Sequence, residues 1–213
     1  MMRASLRIFA VAALALVLAT PAAAAGKMVD ASKVFARLDA YLKLPPAERS
    51  HFTMAYYLRV GDAPLTAPAW LVEGDRKTAI PLRADGRILR LPTAAQLGAA
   101  KVEIGVDAAT KVNENIGLEP LAAPAQDLDA RELAIALAQA QGGMRKIAGP
   151  MGFALSTPKA ILFVGAQSGE AELADGKRVP LPMIKGAPAY DPAALANAKR
   201  IHLARTPQKL DID

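Results

Sequence analysis

The two histidines, His51 and His202, are the only imidazole groups of the 213-residue chain, which contains no cysteine. A serine hydrolase needs a histidine base, and its nucleophile elbow has the pattern Gly-x-Ser-x-Gly. In the nearest match, residues 165–169, the serine stands one position too late. His51 precedes a predicted strand, and His202 lies inside another. We therefore expect structural or surface histidines, and the sequence predicts no catalytic residue.

Metal ligands are not clustered in the sequence. There is no His-x-x-x-His pair, no cysteine ligand and no EF-hand loop. The pair Asp127 and Asp129 is predicted to cap a helix, and the pair Asp211 and Asp213 to form a solvated tail. The sequence therefore predicts no metal and no cofactor. Carboxylates distant in sequence can still meet as an acid and a base, so a cofactor-independent hydrolase remains the alternative.

Three arginines surround a predicted hairpin turn at Asp85-Gly86. If Ile80, Leu82, Leu89 and Leu91 share the core face, Arg83 and Arg90 point outward and Arg87 lies at the tip. Guanidinium groups bind phosphates and carboxylates through paired hydrogen bonds. Arg83, Arg87 and Arg90 are therefore the candidate binding site for an anionic envelope polymer. The alternative is a solvated face that discourages pairing at a sheet edge.

The first residues have the composition of a cleavable export signal. Arg3 and Arg7 precede an apolar run at residues 8–19. Pro21 follows this run, and the small residues 22–25 form the predicted cleavage region. A helix of that length reaches about 18 Å, too short for a hydrocarbon core of about 30 Å. We expect cleavage after Ala25 or one residue earlier, no transmembrane anchor afterwards, and a periplasmic location.

Charge and cysteine content exclude several classes of protein. The chain contains no cysteine. A lipoprotein is therefore excluded, because it needs a cysteine at its new N-terminus, and disulfide bonds are excluded as well. The formal net charge of +6 falls when the two arginines of the signal are removed, and no five like charges are consecutive. Nucleic-acid binding is not expected, because it normally requires a clustered basic stripe. Weak attraction to anionic envelope polymers remains open.

The remaining chain has the pattern of an α+β fold with mainly antiparallel strands and a few helices. Alternating apolar residues predict strands over residues 51–60, 69–73, 78–83, 88–91, 101–106, 152–156, 160–164, 170–173, 178–181 and 200–204. Helical spacing and capping residues predict helices from Asp30 or Ser32 to Leu42, after Pro92 and Thr93, from Asp129 to Gly142-Gly143, and from Asp191 to Asn197.

These elements divide into a first half, residues 26–106, a connector, residues 107–126, and a second half, residues 127–213. Both halves contain a helix, two strands, an Asp-Gly hairpin, a short helical turn and a strand, in that order. Residues 84–87 read Ala-Asp-Gly-Arg and residues 174–177 read Ala-Asp-Gly-Lys. An ancient duplication is one interpretation; chance matching of common residues is the other.

Two short motifs accompany this order: Gln-Gly-Gly-Met at residues 141–144 and Ser-Gly-Glu at residues 168–170. With the signal, the helix and the antiparallel strands, they give a chain that resembles a family of exported Gram-negative bacterial proteins of unknown function. The cysteines of some relatives are missing here. The resemblance implies export and no particular activity.

The sequence therefore favours a non-catalytic periplasmic binding or accessory protein of the bacterial cell envelope. Its expected partner is an anionic envelope polymer or another envelope protein. An enzyme would be distinguished by a deep pocket with converging titratable groups. A binding protein would instead have a broad groove or an exposed apolar patch.

Overall fold

The computed structural model describes residues 26–148 and 157–213, which form the predicted α+β fold with antiparallel strands. The strands of these residues are arranged in four sheets. The strands are β1 Lys27–Asp30, β2 Phe52–Val60, β3 Ala63–Pro64, β4 Ala69–Glu73, β5 Arg76–Ile80, β6 Lys101–Ile104, β7 Val112–Pro120, β8 Asp127–Asp129, β9 Ile161–Val164, β10 Gly169–Leu173, β11 Arg178–Pro180, β12 Met183–Ile184, β13 Ala187–Tyr190, β14 Ala198–Leu203 and β15 Lys209–Ile212. The helices are α1 Ala31–Val34, α2 Leu38–Leu42, α3 Ala94–Ala99 and α4 Ala130–Ala148. The predicted signal, its cleavage site and the predicted strand at 152–156 lie outside the described residues.

Two of the four-stranded sheets are connected in the same way. One has the order β1-β6-β4-β5 and the other the order β8-β14-β10-β11. In each sheet an edge strand leads directly into a helix, β1 into α1 and β8 into α4. A hairpin forms the opposite side, and the strand that comes last in sequence returns to the middle.

The remaining sheets, β3-β2-β7 and β12-β13-β9-β15, meet where β7 lies beside β15. Strand β2 pairs with β7 along its whole length, from Phe52 opposite Pro120 to Val60 opposite Val112. Gly117 of β7 faces β15, and a Cβ atom there would lie 3.6 Å from Oδ1 of Asp211. This contact joins a strand of the predicted connector to a strand of the predicted second half.

The main hydrophobic cluster contains buried side chains from both predicted halves, among them Phe35, Tyr56, Phe163 and Ile201. The rings of Phe35 and Tyr56 pack edge to face with centroids 5.3 Å apart, which is a favoured aromatic geometry. Helix α4 packs on this core.

None of the helices in the described part of the chain has the length and hydropathy of a membrane span.

Helix α4 corrects the prediction that Gly142 and Gly143 end a helix, because it continues to Ala148. Its start is as predicted: Oδ1 of Asp129 accepts hydrogen bonds from the backbone N–H groups of Arg131 and Glu132. A Cβ atom on Gly143 would lie 2.7 Å from Cζ of Phe52. The glycine therefore serves close packing of α4 against β2 rather than termination.

Other elements also differ from those predicted from the sequence. The predicted connector contains β7, whose exposed polar stretch is typical of a loop, and Asp211 of the predicted tail belongs to β15. The predicted helix up to Leu42 breaks into α1 and α2 at Arg37. The predicted strand at residues 88–91 is not formed, and Ile88 makes one isolated β-bridge with Leu82. Asp191 caps a turn instead of the predicted helix.

Candidate functional site

A cavity of about 730 Å³ lies between α4, β7, β15 and the β12–β13 turn. Its walls are mainly large apolar side chains: Met54, Ile116, Leu118, Met144, Ile147, Ile184 and Ile212. Ile116 is 43% exposed, so the cavity opens to solvent along β7. Strand alternation explains this lining, because Ile116 and Leu118 point to the helix-covered face of β7, away from Glu119.

Arg37 stands at the rim of this cavity, at the break between α1 and α2. Its backbone is left-handed, with φ of 69°, which is uncommon for a residue with a side chain. The hydroxyl of buried Tyr56 donates a 2.7 Å hydrogen bond to the carbonyl of Ala36 and fixes this turn. Nη1 of Arg37 donates a 3.3 Å hydrogen bond to the carbonyl of Ile147 at the end of α4.

Two lysines complete the rim. Lys185 forms an ion pair with Asp213, and it occupies the β12–β13 turn with φ of 50° before Gly186 at 77°. Two successive residues of positive φ are typical of a tight hairpin turn. Lys159 is exposed and forms no side-chain hydrogen bond or ion pair within residues 26–148 and 157–213. The rim therefore carries three cationic side chains, and the charge of one of them, Lys185, is neutralised by Asp213.

The opposite face of β2 and β7 carries a buried polar network. Glu119 is 7% exposed, and its carboxylate accepts a 2.5 Å hydrogen bond from the hydroxyl of Tyr57 and contacts Nη2 of Arg87 at 2.5 Å. Nε of Arg87 is buried and has no hydrogen-bond partner among the described residues. Burial and the Glu119 carboxylate raise the pKa of Tyr57 well above its ordinary value. Tyr57 is therefore a hydrogen-bond donor and not a base.

The second half reaches this network through β15. Nζ of Lys209 lies 2.9 Å from Oδ2 of Asp211, 3.4 Å from the hydroxyl of Tyr57 and 4.9 Å from its ring centroid. The prediction that Asp211 lies in a solvated tail is wrong, because β15 pairs with β9 and leaves this residue half-buried. The network thus links the two halves with charges that already have partners.

The arginines of the predicted binding site occupy three different environments. Arg83 forms paired hydrogen bonds with Asp85 at 2.9 and 2.6 Å, which raise the pKa of Arg83 and lower that of Asp85. Arg87 belongs to the Glu119 network, whereas Arg90 is exposed. The expected core face is wrong at Leu89, which is 52% exposed, because Ile88 is buried instead. Polymer binding by these residues stays a prediction.

His202 lies in the middle of a cross-strand row of polar groups. Its Nδ1 is 2.5 Å from Oδ1 of Asp127 on β8, and its Nε2 is 2.9 Å from Oε2 of Glu172 on β10. The hydrogen bond to His202 lowers the pKa of Glu172. Both ring nitrogens are occupied, so the imidazole has no free nitrogen to act as a base.

His51 takes part in a chain of hydrogen bonds that no pattern in the sequence predicts. Its Nδ1 is 2.8 Å from Oγ of Ser50, and its Nε2 is 3.1 Å from Oε2 of Glu132 on α4. A hydroxyl, an imidazole and a carboxylate in this order have the roles of a hydrolase triad. However, Ser50 is exposed and does not line the cavity, and its Oγ also accepts a 3.0 Å hydrogen bond from Gln139.

The cavity is not predicted from the sequence, because its walls come from elements distant in the chain and from strands whose sequences are typical of loops. The local signals for it are the turn-forming pair Lys185-Gly186 and the apolar residues Ile116 and Leu118. Comparison of the chain with family models, with curated proteins and with solved structures found no match.

Proposed function

We propose that the protein is a non-catalytic binding or accessory protein of the bacterial cell envelope, and that its cavity holds an apolar ligand. The observation that carries this proposal is the open cavity of about 730 Å³ with apolar walls. Ligand sites typically measure roughly 300–1,000 Å³ and combine such walls with a few polar groups. Of the described residues that line it, Asp213 is the one with a carboxylate side chain. The described part of the lining therefore lacks the pair of side-chain carboxylates that glycoside hydrolysis uses.

Binding is tested with residues 26–213 and the neutral probe N-phenylnaphthylamine, whose fluorescence increases in apolar surroundings. We expect saturable binding that Ile116→Asp reduces at least about tenfold, because each buried methylene contributes about 0.8 kcal/mol and a carboxylate opposes apolar contact. Leu121→Asp is the matched control, because Leu121 is also exposed, at 55%, but does not line the cavity. The proposal fails if the probe does not bind or if both variants bind equally.

The proposed periplasmic location rests on the charge and hydropathy pattern of residues 1–25. The full chain is expressed in a Gram-negative cell, the periplasm is released, and the N-terminus of the recovered protein is sequenced. We expect a mature chain beginning at Gly26 or one residue earlier. Recovery of the intact chain from the cytosol would contradict export and the envelope function together.

We also propose that the two halves are duplicates. The duplication is supported by the common strand order of the β1-β6-β4-β5 and β8-β14-β10-β11 sheets. It is also supported by the pairing of β2 with β7 and of β9 with β15. Strands β2 and β9 each follow the helical segment after an edge strand, and β7 and β15 each follow the last strand of a four-stranded sheet. The first duplicate therefore includes β7 of the predicted connector. An experimental structure in which the equivalent strands superpose supports the proposal; strands that superpose only with altered order or direction contradict it.

A hydrolase is the second candidate, favoured by the Ser50, His51 and Glu132 chain of hydrogen bonds. If this chain is catalytic, Ser50→Ala and His51→Asn each abolish hydrolysis of an activated ester such as p-nitrophenyl acetate. His202→Asn is the control, because both nitrogens of that ring are already bonded. Hydrolysis no faster than that in buffer, or unchanged in Ser50→Ala, excludes this candidate.

A further inference from the structure

The rim of the cavity supplies positive charge at the mouth of an otherwise apolar space. Lys159 lines it without a carboxylate partner among the described residues, and Arg37 lines it with a single hydrogen bond to a backbone carbonyl. A guanidinium has five N–H donors, so Arg37 keeps donors for a ligand. Lys185 and Asp213 neutralise each other at the same rim.

The side-chain carboxylates of the described lining do not cancel this charge, and the main-chain oxygen of Asp213 already accepts hydrogen bonds from the backbone N–H groups of Lys159 and Ala160. Asp213 is the carboxylate side chain of the described lining, and it is paired with Lys185. The carbonyls at the end of α4 carry a partial negative charge, and Arg37 satisfies the one at Ile147. Lys159 and the free donors of Arg37 therefore face solvent at the edge of the apolar walls.

We propose that the ligand is a single-chain anionic amphiphile, such as a free fatty acid. Its chain lies between α4 and β7, against Ile116, Leu118 and Met144, and its carboxylate lies at the rim beside Arg37 and Lys159. Charge-assisted hydrogen bonds of this kind are stronger than neutral ones. This inference rests on the proposed function, namely that the cavity binds an apolar ligand.

The charge of the head group is tested by calorimetric titration of residues 26–213 with monomeric dodecanoate, dodecanol and dodecyltrimethylammonium at mildly alkaline pH. Dodecanoate is expected to bind about tenfold more tightly than dodecanol, because its carboxylate accepts charge-assisted hydrogen bonds that a neutral hydroxyl does not. The cationic amphiphile is expected to bind most weakly. Shortening the chain to decanoate should weaken binding about tenfold, because two methylenes leave the cavity.

The rim residues are tested with Arg37→Gln and Lys159→Gln, singly and together. We expect the double variant to lose about tenfold in dodecanoate affinity and to bind dodecanol within about twofold of the parent chain. Arg145→Gln is the control, because Arg145 is exposed on the last turn of α4 but does not line the cavity. Lys159→Gln alone keeps the test valid if Arg37→Gln perturbs its left-handed turn.

The possible outcomes separate the two proposals. Equal binding of dodecanoate and dodecanol overturns the anionic ligand but leaves the apolar cavity as a binding site. Binding of neither overturns both. Preference for the cationic amphiphile, or capture by phosphatidylglycerol vesicles without binding of monomeric dodecanoate, overturns the fatty acid. An equal loss in Arg145→Gln and in the double variant overturns the role of Arg37 and Lys159.

Discussion

The Asp-Gly turns at residues 83–87 and 173–177 have the same backbone and different surroundings. In the first, Arg83 N–H donates to the carbonyl of residue 87 at 2.8 Å, and in the second, Leu173 N–H donates to the carbonyl of residue 177 at 2.8 Å. Gly86 and Gly176 have φ of 85° and 83°. The second turn is exposed and closes the regular β10–β11 hairpin.

The first turn instead docks on β2. Leu58 N–H donates to the carbonyl of Gly86 at 3.0 Å, and Ile88 N–H donates to the carbonyl of Tyr56 at 2.8 Å. This docking brings Arg87 to the buried Glu119. The same Asp-Gly signal thus forms an exposed hairpin turn in the second half and part of a buried network in the first. Contacts with β2, which lies distant in the sequence, cause this difference.

Replacing the two glycines by alanine should give the largest difference between the turns. A Cβ atom on Gly86 would lie 2.4 Å from the carbonyl oxygen of Leu58, whereas Gly176 has nothing within 4 Å. We expect Gly86→Ala to lower the free energy of unfolding by about 4 kcal/mol, from overpacking and positive φ together, and Gly176→Ala by about 1 kcal/mol, from positive φ alone. Urea denaturation measures both, and equal losses would contradict docking of the first turn.

The charged residue after each glycine gives the next largest difference. Arg87→Ala leaves Glu119 buried without its cation, and we expect a loss of about 3 kcal/mol. Lys177→Ala removes an exposed side chain and should change stability by no more than about 0.5 kcal/mol. Thermal and urea unfolding provide the measurement. A loss below about 1 kcal/mol in Arg87→Ala would show that the network is solvated.

Two adjacent glycines of α4 extend the comparison to a helix. A Cβ atom on Gly143 would lie 2.7 Å from the ring of Phe52, whereas Gly142 has open space around it. We expect Gly143→Ala to cost about 2 kcal/mol through overpacking. Gly142→Ala should instead stabilise the protein by up to about 1 kcal/mol, because alanine favours the helix. If both variants are stabilised, α4 does not pack on β2 at this point.

The aspartates of the turns give the smallest difference, which depends on pH. The hydrogen bonds from Arg83 lower the pKa of Asp85 below its ordinary value of 3.8 in the folded chain. Its contribution is therefore present above that value and is lost as the pH falls through the lower folded pKa. At neutral pH, Asp85→Asn should cost less than about 1 kcal/mol, since the pair is partly exposed.

Urea unfolding between neutral pH and about pH 3 measures this effect. The stability of the parent chain should converge on that of Asp85→Asn as the pH falls. Asp175→Asn is the control, because it keeps the pair of Arg83 and Asp85 and should show the loss that this pair causes. Asp175 is exposed and bonds only to backbone N–H of Lys177 within the described residues. Parallel curves for Asp85→Asn would indicate that Arg83 does not pair with Asp85 in solution.

Local signals in the sequence predict the elements that local physics determines. Alternation locates β2 and β4, the Asp-Gly pair locates the β10–β11 hairpin, and a Thr93 capping box begins α3. Strand β7 escapes prediction because three consecutive residues, Glu114 to Ile116, are exposed, so burial does not alternate. Only pairing with β2 identifies it as a strand.

The candidate site is less predictable, because its parts lie far apart in the chain. Nothing near Arg37 indicates that the end of α4 lies beside it, and nothing near Ile116 indicates that β15 is adjacent. The arginine cluster is predicted from local spacing alone, but two of its three members have acidic partners, one of them 32 residues away at Glu119. Long-range pairing of charges is not visible in a local pattern.

Strand β15 has a consequence for when the chain can fold. It supplies Ile212 and the adjoining Asp213 to the cavity and Lys209 to the contact with Tyr57, so both features combine early and late parts of the polypeptide. A ribosome must translate nearly all 213 residues before either can assemble. Folds that depend on such distant contacts form slowly. The late formation of these two features is compatible with threading of the chain through a secretion channel, which the proposed export requires.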